Sequence, residues 1–114
     1  MLTIEKLRAC GANVQEGMSR CMNNEAFYLR LTGMALDDKN FGKLNEAIGQ
    51  NDKKAAFEAA HALKGMLGNL SLTPLVEPVT EITELLRAEK DADYAALCAA
   101  LADARAELLR LRDE

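Results

Sequence analysis

The sequence predicts an all-α protein: an antiparallel, up-down-up-down four-helix bundle preceded by short N-terminal capping helices. Ala and Leu together number 37 of the 114 residues, whereas Val and Ile together number 6. Ala and Leu favour helices, and β-branched residues favour strands. In addition, apolar residues recur at spacings of three and four along most of the chain, which is the period of a helix that buries one face.

Residues 1–23 are predicted to form a helical cap. Thr3 can cap a first short helix that ends near Gly11. Asn13, followed three residues later by Glu16, has the pattern of a capping box and opens a second short helix through about Met22.

Residues 24–113 are predicted to form the bundle. Its first helix runs from Asn24 to about Gln50, and the polar cluster at 37–40 either kinks it or breaks it in two. Asp52 caps the second helix, which runs to about Leu70. Short connections between amphipathic helices predict antiparallel neighbours.

The third and fourth bundle helices begin at less regular signals. Thr73 followed by Pro74 is a favourable start, because proline at the first helical position loses no hydrogen bond. Pro78 then either kinks this helix or delays its start. Asp91 or Asp93 opens the last helix. A chain of this length supports one domain, since two would each have too small a core.

Charge and composition exclude several classes of function. The net charge of −4 argues against nucleic-acid binding and against an anionic membrane surface. No apolar run approaches the roughly 20 residues of a spanning helix. The start MLTIEKLRAC has no signal-peptide pattern, and Met1 and the charged C-terminus favour a stand-alone chain. We therefore expect a cytoplasmic monomer.

The cysteines and the single histidine argue against a metal site. Cys10, Cys21 and Cys98 are odd in number, and none forms a CxxC pair, which indicates free thiols in a reducing cytosol. One histidine is too few for an ordinary Cys/His zinc site. We expect no metal and no other cofactor.

His61 is the chemically unusual residue. At ~100° per residue the core stripe of its helix is centred ~220° away, so the imidazole is predicted to face solvent. Lys64, Gly65 and Gly68 share its side of the helix. Glycine in mid-helix costs roughly 1 kcal/mol relative to alanine. Close helix packing is the usual reason for such glycines, but off the core stripe they are better explained as leaving room for a partner to reach the imidazole.

The residues around His61 resemble a known family signature. The run Ala60-His61-Ala62-Leu63-Lys64-Gly65, followed by Gly68-Asn69-Leu70, is similar to that of histidine-containing phosphotransfer (HPt) domains. The stretches Val14–Gly17 and Phe27–Leu29 also resemble this family. One departure is Ser71, where the family usually has a further glycine, and it bears on the geometry of the turn.

The resemblance implies a function. HPt domains are four-helix bundles that shuttle phosphoryl groups between histidine kinases and receiver domains. The family's phosphoacceptor matches His61, and its adjacent lysine and glycine match Lys64 and Gly65. The expected function is thus that of a phosphocarrier rather than an enzyme. Its partners would be a response-regulator receiver, which brings its own Mg²⁺, or a hybrid histidine kinase. The alternative is a helical adaptor that binds such a partner without carrying phosphate.

The helix after His61 offers further candidates. If the turn is centred near Leu72, Thr83 lies opposite His61, with Thr80 and Arg87 about a turn to either side. Arg87 and Thr83, together with Gly65 and Gly68, are therefore expected to contact the partner or the phosphoryl group. The alternative is that Thr80, Thr83 and Arg87 are ordinary surface residues.

Overall fold

In a computed structural model that describes residues 1–114, the chain forms seven helices and no strands, which confirms the predicted all-α class. The helices are α1 (Ile4–Ala9), α2 (Val14–Arg20), α3 (Glu25–Ala35), α4 (Asn40–Gly49), α5 (Lys53–Asn69), α6 (Thr73–Arg87) and α7 (Tyr94–Asp113).

Helices α4 to α7 form the bundle. Each packs against the next along the chain, and α4 also contacts α7, which closes the ring of four. The ion pair Lys64–Glu84 and the contact of Arg87 with Phe57 show that α5 and α6 run antiparallel, because later residues of one face earlier residues of the other. The bundle interior is filled mainly by leucines such as Leu44, which is buried.

Side-chain caps start most helices, as the sequence predicts. Thr3, Asn13, Asn24, Asp52 and Asp93 each accept a hydrogen bond from a backbone N–H in the first turn of their helix. Between the two positions considered for the last helix, Asp93 provides the cap. Helix α6 has no side-chain cap and begins with Thr73 and Pro74. Because α6 starts there and contains Pro78, the delayed start is wrong.

The predicted helix from Asn24 to about Gln50 is broken into α3 and α4. The Asp38 carboxylate accepts the N–H of Asn40 at 2.8 Å, and this local bond competes with helix continuation. Helix α7 holds the break in place: Arg105 donates to the Leu36 carbonyl at 2.7 Å, and Arg112 pairs with Asp37 at 2.7 Å.

Helices α2 and α3, which precede the bundle, cover one end of it, at the turn between α5 and α6. The Asn13 N–H donates to the Ser71 carbonyl at 2.9 Å, and the buried Tyr28 hydroxyl donates to the Leu70 carbonyl at 2.9 Å. Gly17 is buried at the same place, against Leu70 and Tyr28. We call Gly17, Tyr28, Leu70 and Ser71 the end junction.

Ser71 ends α5 in the left-handed conformation, with φ of 53°. The Leu72 N–H donates back to the Leu67 carbonyl, which is the hydrogen bond of a Schellman motif. Glycine is the usual residue at this position because it has no Cβ to clash. The serine keeps the same turn, and its hydroxyl accepts a hydrogen bond from Arg20 at 2.8 Å.

None of the seven helices combines the length and apolarity needed to cross a membrane. The three cysteines are free thiols, and Cys21 and Cys98 are buried.

Candidate functional site

His61 lies in the middle of α5 with its side chain exposed. The buried residues of this helix, among them Ala60, Leu63 and Leu67, occupy the opposite face. The imidazole stacks on the ring of Phe57, one turn earlier, with 5.6 Å between centroids and 15° between planes. A stacked ring covers a face of the imidazole and not its edge, and the reactive lone pair of a ring nitrogen lies in the plane of the ring, so this contact does not cover the nucleophile.

Lys64 lies one turn after His61 and is held by an acidic partner. Its Nζ donates to Oε1 of Glu84 on α6 at 3.1 Å. The second carboxylate oxygen of Glu84 pairs with Nε of Arg87 at 3.3 Å. The hydrogen bond from Lys64, with the nearby charge of Arg87, holds the pKa of the Glu84 carboxyl below its ordinary value. Lys64, one helical turn from the exposed imidazole, is thus part of an ion-pair network with Glu84 and Arg87.

Arg87 links this ion pair to the aromatic stack. Its guanidinium carbon lies 5.1 Å from the centre of the Phe57 ring, within the range of a cation–π contact. Arg87 is therefore close to the stacking partner of His61, although no direct contact with the imidazole is formed.

Gly65 and Gly68 border an open depression next to His61. A Cβ atom added at either glycine would meet no atom within 4 Å, so neither glycine is required for helix packing. The depression is lined by Arg20, His61, Lys64, Gly65, Gly68 and Asn69. The explanation that these glycines allow close packing is wrong. They leave the surface beside the imidazole free of side chains.

The expectation for Thr83 is wrong. Its side chain is fully buried, and its hydroxyl donates to the Val79 carbonyl at 2.7 Å, so it faces the core and not a partner. Counting outward from the turn gives the level of a residue along α6 but not its direction around the helix. Leu75, Val79 and Thr83 are buried and spaced by fours, whereas Glu84 and Arg87 lie on the exposed side.

Arg20 reaches this region from α2. Its Nη1 donates to the Gly68 carbonyl and to the Ser71 hydroxyl, both at 2.8 Å, and its Nη2 pairs with Glu16. The side chain thereby ties the N-terminal helices to the C-terminal end of α5. It also adds a cation to the depression beside His61.

Sequence reasoning missed Phe57, Glu84 and Arg20. Phe57 had a local signal, since a residue four positions before His61 must lie on the same face of the helix. Glu84 lies three residues before Arg87, which favours an ion pair on α6, but its bond to Lys64 depends on how α6 is rotated. Arg20 has a local partner in Glu16, but nothing local indicates that it reaches the site, because Gly68 and Ser71 are about fifty residues away.

The arrangement suits transfer of an anionic group to nitrogen. An exposed imidazole is a nucleophile, nearby cations stabilise the negative charge of a phosphoryl group, and the open glycines allow close approach. No group of three or more His, Cys, Asp or Glu side chains is placed to hold a metal ion.

Comparison with known proteins agrees with this chemistry. Residues 38–114, more than half of the chain, match the family model of the Hpt domain. No curated protein and no solved structure gives a match. The matched region contains the four bundle helices and His61, while residues 1–37, with α1 to α3, lie outside it. The chain belongs to the Hpt domain family, whose members carry out histidine phosphotransfer in two-component signalling.

Proposed function

We propose that this protein is a phosphocarrier that accepts a phosphoryl group on His61 and passes it on within a two-component relay. The observation that carries the proposal is the exposed imidazole of His61, beside Lys64 and Gly65, in an Hpt domain. The donor and acceptor would be receiver-domain aspartates, and a hybrid histidine kinase is a further source of the phosphoryl group.

In the proposed reaction, a lone pair on Nε2 of His61 attacks the phosphorus of an aspartyl phosphate in line with the bond to the leaving carboxylate. A new N–P bond forms, the P–O bond to the aspartate breaks, and the aspartate leaves as a free carboxylate. Lys64 balances charge on the phosphoryl oxygens. The receiver supplies Mg²⁺, and the reverse reaction regenerates His61.

The remaining residues of the site have supporting roles in this proposal. Gly65 and Gly68 admit the receiver, and Arg87 offers a cation at the edge of the docking surface. The protein is then a substrate of its partners and not an enzyme. It would act in the cytoplasm, in keeping with its free thiols.

Labelling with phosphoramidate, a small phosphodonor that needs no docking surface, tests the proposal. We expect one phosphoryl group per chain, stable to alkali and labile to acid, and none in His61→Gln. Label that persists in His61→Gln would overturn the assignment. If the wild-type protein is not labelled, and both it and His61→Gln bind receivers, the protein is an adaptor.

A further inference from the structure

Five side chains form a continuous chain of contacts along the groove between α5 and α6. His61 stacks on Phe57, Arg87 lies over the same Phe57 ring, and Glu84 joins Arg87 to Lys64. Lys64 lies three residues after His61 on α5, so the series ends one helical turn from the imidazole where it began. The centre of this circuit is the Glu84 carboxylate, which is half-exposed and holds a different cation on each oxygen.

A carboxylate and a phosphoryl group compete for the same cations. Both present anionic oxygens to ammonium and guanidinium donors, and phosphate presents three such oxygens. Lys64 is already bonded to an anion at 3.1 Å when His61 is unmodified. A phosphoryl group on His61 would therefore compete with the Glu84 carboxylate for the charge of Lys64.

We propose that Glu84 is a built-in competitor of the phosphoryl group: it holds Lys64 and Arg87 while His61 is free, and gives up at least Lys64 when His61 is phosphorylated. This inference rests on the proposed function of His61. Its consequence is that Glu84 destabilises the phosphorylated form relative to the free form. For a carrier, this keeps the phosphoryl group easy to pass on, because a strongly stabilised phosphohistidine would retain it.

The test measures the steady-state ratio of phosphorylated to free protein at a phosphoramidate concentration that phosphorylates only part of the protein. The two forms are resolved by native gel or intact mass. Glu84→Gln keeps the shape of the side chain and removes its charge. We expect the ratio to rise roughly two- to fivefold, the range of an exposed ion pair. Glu81→Gln is the matched control: it removes the same charge from an exposed position one turn earlier on α6 that makes no ion pair. It should leave the ratio unchanged.

A second set of variants separates competition for the cations from a general effect of charge. In a Lys64→Ala, Arg87→Ala background, Glu84 has no cation to hold, so adding Glu84→Gln should no longer raise the ratio. Equal melting temperatures of Glu84→Gln and the wild type would show that the gain does not arise from altered folding.

The outcomes are distinct. A ratio for Glu84→Gln equal to that for Glu81→Gln, in a protein that is labelled normally, would overturn this inference and leave the proposed function intact. A gain that persists undiminished without Lys64 and Arg87 would also overturn it. Failure of the wild type to be labelled at all would overturn the proposed function and the inference together.

Discussion

Glycines at the end junction and on the His61 face of α5 have opposite roles. At the junction, a Cβ atom on Gly17 would lie 2.5 Å from the Leu70 carbonyl oxygen and 2.6 Å from Cε1 of Tyr28. On the His61 face, a Cβ on Gly65 or Gly68 would meet nothing within 4 Å. The first glycine is needed for packing within the chain, whereas the other two leave room for something outside it.

The two regions also treat polar groups differently. At the junction, the Tyr28 hydroxyl and the Leu70 carbonyl satisfy each other inside the protein. Around His61, the imidazole is exposed, and Lys64 is paired with a residue that is itself half-exposed. A closed network of this kind holds a structure together, and an open one leaves groups available for chemistry. Substitutions should therefore affect stability in the first region and phosphotransfer in the second.

The largest effect on stability is expected from Gly17→Ala. The new methyl group would overlap a backbone carbonyl, which cannot move without disturbing the end of α5. We expect a loss of about 1–3 kcal/mol in the free energy of unfolding, measured by urea denaturation. Gly65→Ala is the matched control, and it should instead stabilise the protein by roughly 0.5–1 kcal/mol. Equal losses in the two variants would break the contrast between the regions.

Tyr28→Phe should have the next largest effect. The substitution removes the buried hydroxyl that donates to the Leu70 carbonyl, while the phenyl ring fills the same space. We expect a loss of about 0.5–1.5 kcal/mol in the free energy of unfolding, with faster amide exchange in residues 1–23. Labelling by phosphoramidate should be unchanged. A Tyr28→Phe protein with full stability but impaired labelling would contradict the division of roles.

Tyr28→Phe should also change how the free energy of unfolding depends on pH. Burial raises the pKa of the Tyr28 hydroxyl. A raised pKa in the folded state means that the stabilisation is complete below the ordinary phenol value, near pH 10, and is lost as pH rises towards the folded value. Tyr28→Phe should therefore lose less stability than the wild type between pH 9 and 11. A parallel decline of the two proteins would show that Tyr28 does not titrate with unfolding.

The smallest effect on stability is expected from Lys64→Ala. Its ion pair with Glu84 is exposed, so the free energy of unfolding should change by about 0.5 kcal/mol or less. Labelling of His61 should slow, or the phosphorylated form should become shorter-lived. Lys43→Ala, at an exposed position on α4, is the control and should change neither property. A large fall in melting temperature with unchanged labelling would show that Lys64 is structural.

Much of the fold could be predicted from the sequence because its signals are local. The caps at Thr3, Asn13 and Asp52 act within one helical turn, and each is where the pattern places it. Apolar spacing alone gives the direction in which His61 faces. The break between α3 and α4 needed more, since Arg105 and Arg112 of α7 stabilise it from far along the chain.

The site was predicted less completely because its contacts cross between helices. The level of Thr83 along α6 predicts a surface position, but the rotation of α6 decides which side chains reach the groove. The same rotation brings Glu84 to Lys64, and sequence spacing does not specify it. Arg20 comes from a helix outside the region that matches the family, so no pattern near His61 points to it.

The most direct test of the central claim, that the His61 face is kept open for a partner, is phosphotransfer to Gly65→Leu. A leucine there enters open space and should leave the protein folded. It would project about one turn from His61 and hold the phospho-aspartate of a receiver away from the imidazole. In-line transfer needs the reacting atoms within roughly 3–3.5 Å, and a displacement of about 1 Å costs on the order of 10²-fold in rate.

We therefore predict that Gly65→Leu is phosphorylated on the order of 10²-fold more slowly by a phosphorylated receiver domain and at near-normal rate by phosphoramidate. Gly49→Leu also places a leucine in open space, at the end of α4, and should be phosphorylated normally by both donors. Normal transfer from the receiver to Gly65→Leu would contradict the account and show that the open glycines of α5 serve another purpose.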